Sequence, residues 1–254
     1  LPTYFWYLFK QLFVLEKLEQ GAIDDEIWGK IIIMERGKRI AKAYLRKTTI
    51  IVDGGEDEFD GKTLGFNHFS NPQRDEYTEE FRSKIGDGVI IKMDNQGNIK
   101  AMARGSTPVI VQGWKEPNSN CISERLLREQ GKLKTKERIA KIFDMRRFKS
   151  AISRELVQPD PDARELLMKT CVRVSLVKDC SSDPMKTPCW FMIINLVALD
   201  MLKTKLPQVL RNCKLCSTII PSATAAEVYS QAALSQIIAA AVQQANTQLV
   251  NSLN

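Results

Sequence analysis

The sequence predicts an α+β chain, mainly β, in which short strands carry the core and helices lie between them and at both ends. Three observations lead there. Apolar residues recur at a period of two in short runs bounded by turn formers. A tight reversal, Asn95-Gln96-Gly97, joins two such runs. Other segments carry acids early, bases late and apolar residues three and four apart, the marks of helices. At 254 residues, 44% hydrophobic and 26% charged, the chain can bury a sizeable core, in one large domain or two small ones.

In order, the first segment is "LPTYFWYLFKQLFVLEKL". Lys10, Gln11, Glu16 and Lys17 interrupt it before the roughly 20 apolar residues a membrane span needs. A helix over Tyr4 to Leu18 has apolar groups around much of its circumference, so it is expected to pack on the domain. Strands follow at "IWGKIIIME", "RIAKAYL" and "TIIVDG", then the acidic loop "GGEDEFDG" and a helix over "RDEYTEEFRSKIG". The hairpin "GVIIKMDNQGNIKAMA" and the strand "PVIVQGW" come next. Ser123 to Leu156 reads as helical and basic, and Pro159 and Pro161 break the chain before a helix at "DARELLMKT". In "VSLVKDCSSDPMKTPCW" two strands flank a polar loop: Val174 and Leu176, then Trp190, Met192, Ile194 and Leu196, are apolar at a period of two, with Arg173 and Ser175 on the opposite face of the first strand. A helix, "LDMLKTKLPQVL", follows. Leu234, Ile238, Val242, Ala245 and Leu249 then share one face of a tail helix. The expected units are residues 1–22 as a helical extension packed on the domain, 23–212 as the domain, and 213–254 as a second helical extension.

Chemistry finds little support. His68 is the sole histidine, no Ser or Cys has a partner set for nucleophilic attack, and no glycine loop cradles phosphate. "CKLC" at Cys213 to Cys216 is half of a tetrahedral metal site. "GEDEFDG" lacks the spacing of a calcium loop. The six cysteines, several in apolar runs, read as reduced intracellular thiols. A net charge of +7 is spread along the chain, with one dense run, Lys132 to Lys149, holding eight Lys or Arg against Glu137 and Asp144. Lys132, Lys134, Lys136, Arg138, Arg146 and Arg147 there are candidate phosphate contacts, the alternative being a solvated helix face.

The order of the pieces carries more. "TIIVDGG", "RSKIGDGVIIKM", "STPVIVQ", "KIFDMRRFKSAISREL", "LMKTCVRVSLVKD" and "TPCWFMIINLVALDMLKTKL" resemble, in sequence and in order, successive segments of the Smad MH2 domain, from about Ile27 to Leu210. The resemblance implies a β-sandwich with a helical bundle at one end, related to the forkhead-associated fold. It also implies a protein-interaction domain and not an enzyme. Lys178, Asp179, Ser181, Ser182, Asp183, Met185 and Lys186 match the family's L3 loop, which presents basic and aromatic residues to phosphoserine, with Lys178 on its basic position. Asp53 matches a position that makes subunit contacts. The chain departs from the pattern in three places. The L3 loop is shorter, lacks Gly-Trp-Gly and Tyr-Arg-Arg, and adds Asp179 and Asp183. The trimer-face loop is replaced by a basic helical stretch, Cys121 to Lys141, and "LVNSLN" lacks paired phosphorylatable serines. The chain is thus expected to be a divergent, non-Smad member: a monomeric adaptor without receptor-driven phosphoserine recognition. Protein partners of unknown identity, no nucleic acid, membrane, metal or cofactor, and an intracellular, cytoplasmic or also nuclear site are expected. A nucleic-acid-binding or transcription-associated module using residues 132–149 is the alternative.

Overall fold

The structure, a computed structural model, describes Gln11, Val14, Leu15, Lys17, Leu18 and residues 20–212 apart from 116–119, 136–138, 160 and 181–182. Eleven strands form two sheets among these residues. In chain order they are β1 (Gly29–Glu35), β2 (Lys38–Leu45), β3 (Thr49–Asp53), β4 (Thr63–Gly65), β5 (Val89–Met93), β6 (Ile99–Ala103), β7 (Val109–Val111), β8 (Lys132–Leu133), β9 (Ala140–Phe143), β10 (Cys171–Leu176) and β11 (Cys189–Asn195). One sheet runs β2-β1-β11-β10-β7-β8 and the other β4-β3-β5-β6-β9; all pairs are antiparallel except β3 with β4. The helices between and after the strands are α1 (Glu76–Arg82), α2 (Glu124–Arg128), α3 (Met145–Leu156), α4 (Ala163–Lys169) and α5 (Leu196–Asn212). The result is the expected mainly-β sandwich, with α3, α4 and α5 packed together as a bundle.

The second sheet alternates as its sequence does. Ile50, Val52, Val89, Ile91, Ile99, Ala101 and Ile142 point into one core shared with the first sheet. The first sheet departs from period two. Every residue of β1 and β11 is buried, and Ser175 on β10 is fully buried as well. The two-faced reading of β10 and β11 therefore fails, because α1 packs on one part of β11 and α5 on β1 and β11. Leu196 opens α5 and does not extend the strand. Among the described residues, no helix is long and apolar enough to cross a membrane.

The basic helical stretch expected over Cys121 to Lys141 is also corrected. Helix α2 ends after one turn because Gln130 and Gly131 take left-handed φ of 55° and 75°, and the chain then extends into β8 and β9. Helix α3 starts at Met145, where the Asp144 carboxylate accepts from the Arg146 N–H at 3.0 Å. It buries Met145, Phe148, Ala151 and Ile152, an i, i+3, i+6, i+7 stripe.

The β5–β6 reversal is pinned by Asp94, whose Oδ1 accepts from the N–H groups of Gln96 and Asn98, while Oδ2 meets Lys100 Nζ at 2.9 Å. Burial alone would raise the Asp94 carboxyl, but hydrogen bonds from Lys100, Asn98 and Gln96 outweigh it and hold the value down to about 2. Its contribution to stability is therefore complete above about pH 4 and is lost as pH falls toward the folded value. Asp94→Asn should melt lower than the native chain at pH 7, and the gap should close between about pH 4 and 2. A gap that stays constant with pH would assign the effect to hydrogen bonding alone.

At the amino end, Gln11, Val14 and Leu15 are buried, and Gln11 Nε2 donates to Cys171 Sγ at 2.7 Å. The rest of the expected helix from Tyr4, and the tail helix around Leu234 to Leu249, lie outside the described residues.

Candidate partner-binding loop

The loop from Lys178 to Lys186 joins the two central strands β10 and β11. Its first bend is at Val177, a β-branched residue at φ 68°, a conformation worth roughly 1–3 kcal/mol of strain. Two bonds hold it: Val177 N–H donates to Pro108 O and Lys178 N–H to Leu176 O, each at 2.8 Å. Past this bend the backbone turns the Lys178 side chain toward α1. Its Nζ stands 5.0 Å from the Tyr77 ring centroid and 5.1 Å from that of Phe81. The Lys178 pKa is raised, chiefly by a hydrogen bond to the Tyr77 side chain and further by the charges nearby, including Glu80.

Tyr77 and Phe81 are i, i+4 neighbours on α1, with ring centroids 4.8 Å apart. Other cations use the same rings. Arg36 lies 5.1 Å from the Tyr77 centroid while pairing with Asp75 at 2.8 Å and donating to Thr78 Oγ1. Lys84 lies 5.4 Å from Phe81 and pairs with Glu80. Arg36 and Lys84, which share these rings, are thus already paired with carboxylates of α1 and its cap.

Asp179 points the other way. Its Oδ1 accepts from Ser175 Oγ at 2.7 Å and from Gln112 Nε2 at 2.8 Å. Gln112 also donates to Thr187 Oγ1, which accepts in turn from Cys180 N–H. This carboxylate ties the loop to β7 and β10; it does not face outward. Asp183 shapes a 3₁₀ turn at Pro184–Lys186: its Oδ1 accepts from Met185 N–H at 3.0 Å and its backbone O from Lys186 N–H at 2.9 Å. Met185 packs beside Gly37 in the β1–β2 turn. Lys186 is exposed, with its Nζ 4.0 Å from Asp183. Ser181 and Ser182 lie outside the described residues.

A second network positions α1. Glu35, buried on β1, receives Arg74 at 2.9 Å and Asn71 Nδ2 at 2.5 Å. Arg74 also reaches Glu79 and Phe69 O, and Glu79 pairs with Arg82. The α1 residues Tyr77, Phe81 and Glu79, with Arg74 before them and Gln112 and Thr187 near the loop, were not foreseen as parts of this site. The i, i+4 aromatic pair in "YTEEF" was their one visible signal.

The other candidates are dispersed. Asp53 meets Arg104 Nη1 at 3.5 Å and accepts from Gly55 N–H, so its basic neighbour comes from the end of β6. Lys132 is on β8, Lys134 lies 3.8 Å from Glu129, Arg147 pairs with Glu124 at 2.6 Å, and Arg146 is exposed on α3. Lys136 and Arg138 lie outside the described residues, and the run is not one helix face. His68 Nδ1 contacts Glu56 O at 3.1 Å, and the ring meets Phe69 edge-on. Burial pushes the thiols of Cys121 and Cys189 up to about 12 and that of Cys171 up to about 11, so they stay protonated at neutral pH. Cys121, Cys171, Cys180 and Cys189 are free, while Cys213 and Cys216 lie outside the described residues.

The MH2 domain model matches residues 26–196, from just before β1 to the start of α5. The chain belongs to the MH2 domain family. Solved structures similar to it include STAT2 in complex with IRF9, at 12% identity and a TM-score of 0.48, covering 71% of this chain and 98% of that one. The Interferon Regulatory Factor 9 IAD domain matches at 12% identity and a TM-score of 0.46, covering 74% of this chain and 95% of that one. No curated protein matches the chain.

Proposed function

We propose that this chain is a non-enzymatic, intracellular protein-interaction domain of the MH2 type, and that its L3-like loop does not read phosphoserine. Family membership supports the interaction role. The loop reading rests on one observation: the Lys178 ammonium is held against Tyr77 and Phe81 and close to Glu80. A phosphate carrying about −1.5 to −2 charges needs several convergent donors. Here Arg36 and Lys84 are paired with Asp75 and Glu80, and of the loop's two exposed lysines Lys178 leans on the α1 rings while Lys186 lies 4.0 Å from Asp183. The same reading makes the domain a monomer, because a loop that does not bind phosphoserine cannot join copies through phosphorylated serines. Pairing of Lys134 and Arg147 with carboxylates weighs against the nucleic-acid alternative.

Calorimetric titration with a doubly phosphorylated Ser-x-Ser peptide tests the loop reading. The expected result is no saturable heat. Micromolar binding that vanishes in Lys178→Ala would overturn it.

A further inference from the structure

Tyr77 meets Lys178 as a ring, but its hydroxyl is a separate chemical group with a use of its own. The side chain stands where three segments come together: α1 carries it, Lys178 belongs to the loop, and Arg36 belongs to the β1–β2 turn. The hydrogen bond that raises Lys178 places its ammonium within reach of the Tyr77 hydroxyl. Arg36 holds Asp75 and Thr78 through its Nε. Its amino nitrogens carry further donors.

Tyr44 and Tyr77 are each 37% exposed, so accessibility does not separate them. Their surroundings in sequence do. Tyr44 lies in "KAYLRK", beside Lys42, Arg46 and Lys47, whereas Tyr77 lies in "DEYTEE", between Asp75 and Glu76 on one side and Glu79 and Glu80 on the other. Arg74, the base just before this stretch, is turned inward to Glu35. An acidic segment around a tyrosine complements the basic peptide groove of a tyrosine kinase. Helix α1 has seven residues and buries Thr78 alone, so its first turn can open locally without uncovering the core.

We propose that Tyr77 is a phosphorylation site whose phosphate is received within the same molecule by Lys178 and Arg36. In this step the Tyr77 phenol oxygen attacks the γ-phosphorus of ATP, the phenol proton passes to the base of the kinase, and the bond to the departing ADP breaks. The phosphate brings about −1.5 to −2 charges and three acceptor oxygens. Charge-assisted bonds from Lys178 and Arg36 then replace their weaker contacts with the ring. Asp75, Glu76 and Glu80 oppose the new charge, while Lys84 offsets Glu80. Two donors are too few to capture a free phosphopeptide, but they suffice for a phosphate that a covalent bond keeps beside them. The modification fastens the loop and the β1–β2 turn to α1 through one group. This role needs the contact between Lys178 and Tyr77, and it holds whether or not the loop reads phosphoserine.

The test incubates the folded full chain with magnesium ATP and the catalytic domain of a tyrosine kinase selective for acidic peptides, and locates the phosphate by mass spectrometry. Labelling of Tyr77 should exceed that of Tyr44 by about tenfold. The phosphorus NMR signal of the modified chain is then titrated with pH. Lys178→Ala and Arg36→Ala should each raise the second ionisation of the phosphate, because a nearby cation favours the dianion. Arg36→Gln replaces Arg36→Ala if that variant unfolds. An unlabelled Tyr77, equal labelling of Tyr44, labelling that requires denaturant, or identical titrations in the native chain and both variants would each overturn the proposal. Labelling of Tyr77 in a chain that also bound the doubly phosphorylated Ser-x-Ser peptide would uphold this role and end the loop reading, whereas an unlabelled Tyr77 ends this role alone.

Discussion

Arg74→Ala lowers the stability of the domain by about 3–5 kcal/mol, the loss expected when one partner of a buried ion pair is removed. Glu35 has a side chain 1% exposed, and its charge is met by Arg74 and by one Asn71 amide. Without the guanidinium the carboxylate keeps its desolvation penalty and loses most of its compensation. The same substitution leaves Glu79 with Arg82 alone and removes the guanidinium donor to Phe69 O, so α1 should loosen from β1 and carry Tyr77 and Phe81 away from Lys178. Denaturant midpoints measure the first effect. The double variant Glu35→Gln, Arg74→Met should recover part of the loss, because it removes the uncompensated charge instead of stranding it. A single variant within about 1 kcal/mol of native would mean that water serves Glu35 as well as Arg74 does.

Removing residues 1–20 should have the next largest effect. Val14 and Leu15 are buried in the common core, and each large apolar side chain contributes about 1.5–3 kcal/mol. Gln11 covers the Cys171 thiol, and Lys203 Nζ donates to Leu18 O at 3.5 Å, so the segment bridges β10 and α5. The truncated chain should melt well below the native one or aggregate, and Leu15→Ala alone should cost about 2–5 kcal/mol. Unchanged melting after truncation would make the segment a partner-binding arm.

Strands were legible because sheet alternation needs only the local pattern. In β3, β5 and β6 each residue's face follows from period two, and the second sheet obeys it. In β10 and β11 the pattern misleads, because burial of Ser175 depends on Asp179 and on helices far away in sequence. The turn at Gln130 and Gly131 was visible as a glycine, but the surrounding Lys and Arg, good helix formers, masked its consequence. The loop was found from motif order. Their directions were not legible. Asp179 looked like an outward negative charge until Gln112, 67 positions earlier, supplied its amide. Lys178 looked free because Tyr77 and Phe81 stand on a helix about a hundred positions away. Arg104 likewise meets Asp53 only through the β3-β5-β6 order of the sheet.

The claim that Lys178 is clasped and not presented is most directly measured at its own ε-methylene by NMR. The account predicts proton signals shifted upfield by the Tyr77 and Phe81 rings, restored toward ordinary lysine values in Tyr77→Ala, Phe81→Ala, and unmoved when the doubly phosphorylated peptide is added to the native chain. Signals at ordinary lysine positions that move saturably with that peptide would contradict it.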